Sequence, residues 1–327
     1  MRELTFTEAA REGLAEEMER DPMVFVVGEG IGARGGNFAT TVGLFERFGP
    51  ERLRDTPIAE RGFTGLCTGA AMAGARPVVD YMFFDFALDA LGEILNQTSK
   101  IQYMSDGRLR MPIVLRGCVG VGSSAATHHS GSYYSLFAHV PGLRVVAPTT
   151  PRDAKGLLKT AIRSDDPVVF MEHRSVLSLK GPVPDPDADE LIPFGTAVVR
   201  RPGNDLTIVG VANTVTLAIA ASEALASEGI SVEVIDPRSL APLDIDTILE
   251  SVARTGRLLV VDEDYGPCGI GAEIAAQVAD RGFDDLDAPI RRLNTRHAPI
   301  PYSPPLEQAL IPTAETIALA VRSLLAE

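Results

Sequence analysis

Short apolar runs alternate with longer segments of helical periodicity along most of the chain. Apolar runs that are bounded by Gly, Pro or Asp are typical of buried strands. We expect strands at 23–27, 77–81, 113–115, 143–146, 168–171, 206–211, 231–235 and 258–262. Strands that alternate with helices favour a parallel sheet covered by helices, so the sequence predicts an α/β fold.

The helical segments carry their own start and stop signals. Thr7 can cap a first helix that reaches Arg20, with Ala10, Leu14 and Met18 on its apolar face. The proline that follows at position 22 prevents the helix from continuing. Further helices are expected at 62–74, 86–101, 214–228 and 271–280.

The composition changes between Lys180 and Pro193, where proline and aspartate replace the apolar pattern. Such a stretch is typical of an extended linker. A second α/β pattern begins after it. The sequence therefore predicts a first domain over 1–179, a linker over 180–193 and a second domain over 194–327.

Composition and charge narrow the class of protein. The 327 residues are 45% hydrophobic, as in globular proteins with a sizeable core. The net charge of -14 disfavours sequence-independent nucleic-acid binding and suits a basic protein partner. Cys67, Cys118 and Cys268 form no paired motif, which argues against a disulfide framework or a CxxC zinc site. Because we find neither a bilayer-spanning apolar run nor a signal-peptide pattern, we expect a cytoplasmic protein.

Several segments, taken in order along nearly the whole chain, resemble one family. They are Gly28-Glu29, 48–52, 55–60, 74–78, His129-Ser130, 139–148, 153–158, 166–170, 236–238 and Ile311-Pro312. Together they are similar to the beta subunits of pyruvate, branched-chain 2-oxo acid and acetoin dehydrogenases. The resemblance implies a pyrimidine-binding thiamine-diphosphate domain with a parallel sheet, followed by a transketolase C-terminal α/β domain.

The resemblance also implies a divided cofactor site. In this family thiamine diphosphate lies between an alpha subunit, which holds the diphosphate through magnesium, and a beta subunit, which holds the aminopyrimidine ring. The chain lacks the Gly-Asp-Gly diphosphate motif, to which Ser105-Asp106-Gly107 comes nearest, and the glycine-rich loop at 32–36 is not a P-loop. The implied assembly is an alpha2-beta2 heterotetramer that docks on a lipoyl acyltransferase core.

Glu60 is the first candidate for catalysis. It matches the family glutamate that hydrogen-bonds a ring nitrogen of the aminopyrimidine and favours the imino tautomer, and Glu29 is expected at the same site. A carboxyl in an apolar pocket has a raised pKa, so it can share a proton near neutral pH. From composition alone, Glu60 would instead be an exposed residue that opens a helix.

Met82 and Phe86 match positions at which the family places side chains against the aminopyrimidine ring. Thioether and aromatic groups suit contact with a flat heterocycle. The alternative is plain core packing, because both residues belong to one apolar cluster, 81–86.

His129 matches the family histidine implicated in proton transfer when the acyl group passes to lipoamide, a role that suits an imidazole. A structural histidine is the alternative, and the neighbouring His128 complicates the assignment. Gly131 follows His129-Ser130 where relatives usually carry Gln, and the loop 119–124 also departs from the common patterns.

A cation site completes the set of candidates. The residues that match a family potassium site are Ile113, Ala161, Ile162, Ser164 and Asp166. Such a site uses mainly backbone carbonyls, and the alternative is an ordinary helix end and turn.

Two competing functions stay open at this level. One is the C-terminal half of a split transketolase, which would move two-carbon units between sugars. The other is a non-catalytic assembly subunit, which would have no reason to keep Glu60, Met82, Phe86 and His129 together. The preferred interpretation is that the chain is a subunit of an enzyme that decarboxylates a 2-oxo acid such as pyruvate, or that cleaves acetoin.

Overall fold

The computed structural model describes all 327 residues and divides them into two compact units. The first comprises Met1–Val119 and Leu136–Phe194, and the second comprises Gly120–Ser135 and Gly195–Glu327. The segment Gly120–Ser135 therefore belongs with a part of the chain far from it in sequence. The predicted domain boundaries at 179 and 194 stay a proposal.

The first unit is built on a parallel sheet. Its strands are β1 (Arg2–Thr5), β2 (Val24–Gly28), β3 (Leu53–Asp55), β4 (Arg76–Phe83), β5 (Val114–Val119), β6 (Arg144–Val146), β7 (Val168–His173) and β8 (Lys180–Val183). Six of them lie side by side in the order β6-β7-β5-β4-β2-β3, all parallel. β1 and β8 form a separate antiparallel pair, so the start of the expected linker is a strand.

Seven α-helices lie between residues 6 and 163. They are α1 (Phe6–Arg20), α2 (Leu44–Phe48), α3 (Glu60–Met72), α4 (Leu91–Glu93), α5 (Ile101–Met104), α6 (Tyr134–Ala138) and α7 (Pro151–Arg163). Leu14 of α1 and Leu157 of α7 are fully buried in one cluster with Val26, Val78 and Val114 of the sheet. Burial of these apolar side chains between the two helices and one face of the sheet stabilises the unit.

Two helix predictions need correction. The cap of α1 is Thr5 rather than Thr7, because Thr5 and Glu8 form a reciprocal capping box. The Thr7 hydroxyl instead donates to the carbonyl of Leu177. The single helix expected at 86–101 is broken into a 3-10 segment, the short α4, and a π-helical turn at Ile94–Thr98.

The second unit has a mixed sheet with helices on both faces. Its strands are β9 (Val198–Arg201), β10 (Leu206–Gly210), β11 (Val232–Asp236), β12 (Ser239–Ala241), β13 (Leu258–Tyr265) and β14 (Arg291–Thr295). Five lie in the order β14-β13-β10-β11-β9, and only β9 runs antiparallel to its neighbour. The helices are α8 (Thr214–Ala226), α9 (Ile245–Thr255), α10 (Ile270–Arg281), α11 (Pro304–Gln308) and α12 (Ala314–Leu325).

Alternate residues of the central strands in this sheet face opposite cores. Ile208 packs with residues of α8 and α12, while its neighbour Val209 packs with residues of α9 and α10. This arrangement follows from the two-residue period of a strand that is buried on both sides. None of the helices in either unit is long and apolar enough to cross a membrane.

Candidate active site

Glu60 is the first residue of α3 and is buried, with only 8% of its surface exposed. The preceding residue, Ala59, provides no side-chain cap for the helix. The chain reaches this point from β3, where the amide of Thr56 donates to the carbonyl of Gly28. The exposed position that composition alone favours for Glu60 is therefore wrong, and the carboxyl lies next to the end of β2.

Glu29 follows directly on β2 and shares a hydrogen bond with Glu60. Burial raises the pKa of Glu29, and the negative charge of Glu60 raises it further. Because two ionised carboxylates can only accept, a hydrogen bond between them requires one proton. The raised pKa of Glu29 favours keeping that proton on Glu29.

Met82 and Phe86 lie at the edge of the aromatic cluster rather than in its centre. Tyr81 and Phe84 are fully buried, whereas Met82 and Phe86 are only half-buried. The rings of Phe83 and Phe86 meet edge to face at 6.0 Å between centroids. Simple core packing therefore describes Tyr81 and Phe84 better than the two residues for which a cofactor contact was predicted.

The backbone at Met82 is unusual. Its φ is 66°, in the left-handed region that a residue with a side chain rarely adopts. The pairing of β4 with β5 is irregular between Asp80 and Phe83, and an irregularity of this kind re-aims side chains. The Met82 sulfur accepts a contact from the side-chain amide of Asn37, which directly follows the glycine-rich loop at 32–36.

His129 lies in the segment Gly120–Ser135 of the second unit. It ends a short 3-10 turn and is half-buried, whereas His128 is exposed. The turn is fixed within its own unit because the Thr127 hydroxyl donates to the carbonyl of Ile300 at 2.9 Å. At the start of the segment, the amide of Val121 donates to the Glu263 carboxylate at 2.5 Å. Glu29 and Glu60 belong to the first unit.

The predicted potassium site has the geometry of a helix end that is already hydrogen-bonded. The Arg76 guanidinium donates to the carbonyls of Ile162 and Ser164, each at 3.0 Å. The Ile113 carbonyl accepts from the amide of Val168, and the Asp166 carboxylate pairs with Arg144. Nowhere in the chain do three or more His, Cys, Asp or Glu side chains form a group that could hold a metal ion. Potassium binding stays a prediction.

Sequence reasoning missed the buried charged residues near Met82 and near the segment that carries His129. Asp80, Arg116 and Glu172 are all buried, and each interrupts an apolar strand. A charge within a buried strand was the available signal, because such a charge needs a partner. Glu263, which holds the segment that carries His129, gave the same signal on β13.

Comparison with known families defines the class of this fold. Residues 2–180 match the family described as transketolase, pyrimidine binding domain, and residues 195–317 match transketolase, C-terminal domain. A split gene transketolase structure described as an inactive beta4 tetramer has a TM-score of 0.80 and covers 99% of this chain and 98% of its own. At 22% identity, that likeness shows the fold alone. The protein is thus of the transketolase type.

Relatives of similar length narrow the class further. The pyruvate dehydrogenase E1 component subunit beta of Rickettsia bellii is 45% identical over 98% of both chains. The mitochondrial beta-1 subunit of Arabidopsis thaliana is 44% identical over 98% of this chain and 88% of its own. The acetoin:2,6-dichlorophenolindophenol oxidoreductase subunit beta of Cupriavidus necator is 44% identical over 98% and 97%.

The chain therefore belongs to the family of beta subunits of thiamine-diphosphate-dependent 2-oxo acid dehydrogenases, which are oxidoreductases. The family and the α/β fold predicted from the sequence are confirmed.

Proposed function

We propose that this chain combines with an alpha subunit to decarboxylate a 2-oxo acid of the pyruvate type, or to cleave acetoin, and to pass the acyl group to lipoamide. The observation that carries the proposal is the Glu29–Glu60 carboxyl pair, in which Glu60 is buried and Glu29 is half-buried. An assembly subunit without a cofactor would gain nothing from holding two carboxyls against each other, because their repulsion destabilises the fold.

The residues of the first unit fit the aminopyrimidine half of thiamine diphosphate. A carboxyl pair that holds one proton can donate to a ring nitrogen and take the proton back. Met82 and Phe86 are half-buried and offer a thioether and an aromatic ring. When bound, thiamine diphosphate supplies the electron sink that lets carbon dioxide leave. The role of Glu60 is to hold and return the proton, and Met82 and Phe86 orient the ring.

His129 has the separate role of moving a proton when the acyl group leaves for lipoamide. Its half-buried position on a fixed turn suits an imidazole that must meet a second substrate and also be held in place. The finer parts of the proposal are magnesium on the alpha subunit, an alpha2-beta2 assembly, docking to the acyltransferase core, and a potassium ion at the turn after α7. The net charge of -14 supports docking to a basic module.

The decisive experiment is co-purification with an alpha subunit, followed by assays with thiamine diphosphate and magnesium. Pyruvate, branched-chain 2-oxo acids and acetoin are compared with an artificial electron acceptor. Activity that needs both chains and falls by about 10²-fold or more in Glu60→Gln supports the proposal. Glu46→Gln is the matched control, because Glu46 is an exposed carboxylate of the same unit.

Three outcomes contradict the proposal or a part of it. Turnover by this chain alone would refute the divided site. Transfer of two-carbon units between sugar phosphates would favour the split transketolase reading instead. Activity that is indifferent to potassium and sodium would remove the potassium site only.

A further inference from the structure

Three adjacent strands of the first sheet each bury one charged residue. Asp80 of β4 lies opposite Arg116 of β5 in register, and Arg116 lies next to β7, which carries Glu172. The Arg116 guanidinium donates to both oxygens of Glu172 at 2.7 and 2.9 Å. Because the guanidinium directs its hydrogen bonds to Glu172, the Asp80 carboxylate is left to bind other groups while the positive charge stays close.

The two carboxylate oxygens of Asp80 accept hydrogen bonds from two different segments of the first unit. Oδ1 accepts from the amide of Met82 at 2.9 Å, and Oδ2 accepts from the hydroxyl of Thr40 at 2.9 Å. Asp80 and Thr40 are both buried. One carboxylate therefore connects the irregular end of β4 to the segment 30–41, which contains the glycine-rich loop.

The first of these bonds holds a strained residue. A left-handed φ is unfavourable for methionine and persists only when surrounding groups impose it. At Met82 the irregular pairing of β4 and β5 takes the amide out of the regular ladder, and Asp80 accepts its proton instead. The bond thus satisfies a donor and fixes the strained backbone at the same time.

The second bond affects the Met82 side chain through the loop that contains Thr40. Thr40 belongs to a loop whose backbone closes on itself through bonds from Gly36 to Gly30 and from Thr41 to Gly35. The same loop carries Asn37, whose amide contacts the Met82 sulfur. By fixing the backbone of Met82 and anchoring this loop, Asp80 determines where the thioether lies.

We propose that Asp80 is a positioning residue that acts through Met82 on the binding of the aminopyrimidine ring. This inference rests on the proposed function, because it assigns Met82 to the wall of that site. Asp80 does not touch the ring. It fixes the left-handed backbone of the residue whose sulfur contacts Asn37.

The test is a double-substitution cycle in the complex of this chain with its alpha subunit. The dissociation constant of thiamine diphosphate is measured calorimetrically in the presence of magnesium. Asp80→Ala is expected to weaken binding by about 10-fold. In the Met82→Gly background the same change is expected to cost at most about 2-fold, because glycine adopts a left-handed φ without help. Asp80→Asn keeps an acceptor oxygen and should restore most of the affinity.

A purely structural role of Asp80 predicts a different pattern. Losses of affinity that are equal in the two backgrounds, or no loss in either, overturn the inference. If the Asp80→Ala chain does not assemble with the alpha subunit, the same double-substitution cycle is measured with Asp80→Asn. The expected loss of affinity for thiamine diphosphate is then about 3-fold, and it should be absent in the Met82→Gly background. Absence of thiamine diphosphate binding by the unsubstituted complex would overturn the proposed function as well, so the two failures are distinguishable.

Discussion

The two units bury carboxylates on their central strands in opposite ways. In the first unit Arg116 lies between Asp80 and Glu172 and pairs with Glu172 through two hydrogen bonds. In the second unit Asp262 and Asp264 lie two residues apart on β13, and burial raises the pKa of Asp262 to about 8 and that of Asp264 to about 6. Opposite charge stabilises the first arrangement, whereas retained protons relieve the second. Sensitivity to substitution should therefore concentrate in the first, and sensitivity to pH in the second.

The largest expected effect is the loss of Arg116. Arg116→Met leaves Glu172 and Asp80 buried without the cation, which should lower the free energy of unfolding by about 3–5 kcal/mol. The double change Arg116→Met with Glu172→Met removes the uncompensated charge and should cost clearly less. Urea unfolding of the two variants measures the difference.

A matched control for this prediction lies on the surface. Arg322 pairs with Glu228 where both side chains are more than 40% exposed, so Arg322→Met should leave the unfolding midpoint unchanged. If Arg116→Met were no more destabilising than this control, the first unit would not depend on its buried cation.

The next effect is a pH dependence that originates in the second unit. The folded-state pKa of Asp262 is raised above the value of 3.8 for a free aspartate, first by burial and then by the charge of Asp264. Its contribution to stability is therefore fully present below about pH 4 and is lost as the pH rises through about 8. We expect the Tm to fall by roughly 5 °C between pH 6 and 9, and Asp262→Asn to flatten this dependence.

The exposed Asp246 provides the control for Asp262, because Asp246→Asn changes the same functional group where solvent screens the charge. Thermal unfolding followed from pH 5 to 9 in both variants tests the assignment. An unchanged pH profile in Asp262→Asn would show that other groups govern the acid and base limits of this unit.

A smaller effect should appear at the segment that carries His129. Glu263→Ala removes the acceptor for the Val121 amide, so the segment loses one of its fixed points. We expect acyl transfer to a lipoyl domain to fall by about 10-fold, while decarboxylation with an artificial acceptor stays within about 2-fold. Glu263→Gln retains an acceptor oxygen and should behave like the unsubstituted protein. Equal loss of both activities would instead indicate general damage to the subunit.

How far the sequence predicts this molecule depends on the range of the interactions. Strands β2, β4 and β7 and helices α3, α8 and α10 were predicted within a few residues, because apolar periodicity and flanking glycine or proline act locally. The helix expected at 86–101 failed because the tertiary environment overrides local propensity there. The pairing of β1 with β8 joins residues almost 180 positions apart, which no local pattern reveals.

The same distinction applies to the candidate site. Glu60 and His129 could be proposed because each lies within a segment that resembles the family, and Met82 because it matches a family position. Asp80 and Arg116 could not, because their importance lies in contacts that form only when β4 and β5 pair. A left-handed φ at Met82 is likewise invisible in the sequence, since methionine is not a residue that marks such a turn.

The smallest expected effect compares one hydrogen bond in each unit. Thr40→Val removes the hydroxyl that donates to Asp80 at 2.9 Å, and the buried carboxylate oxygen then loses a partner, at a cost of about 1 kcal/mol. Ser135→Ala removes a longer bond of 3.4 Å to Asp264 and should cost at most about 0.5 kcal/mol. Urea unfolding of both variants at pH 7 measures the two costs. A larger cost for Ser135→Ala would mean that the acidic strand depends on its hydroxyl partners as much as on retained protons, and the contrast between the units would weaken.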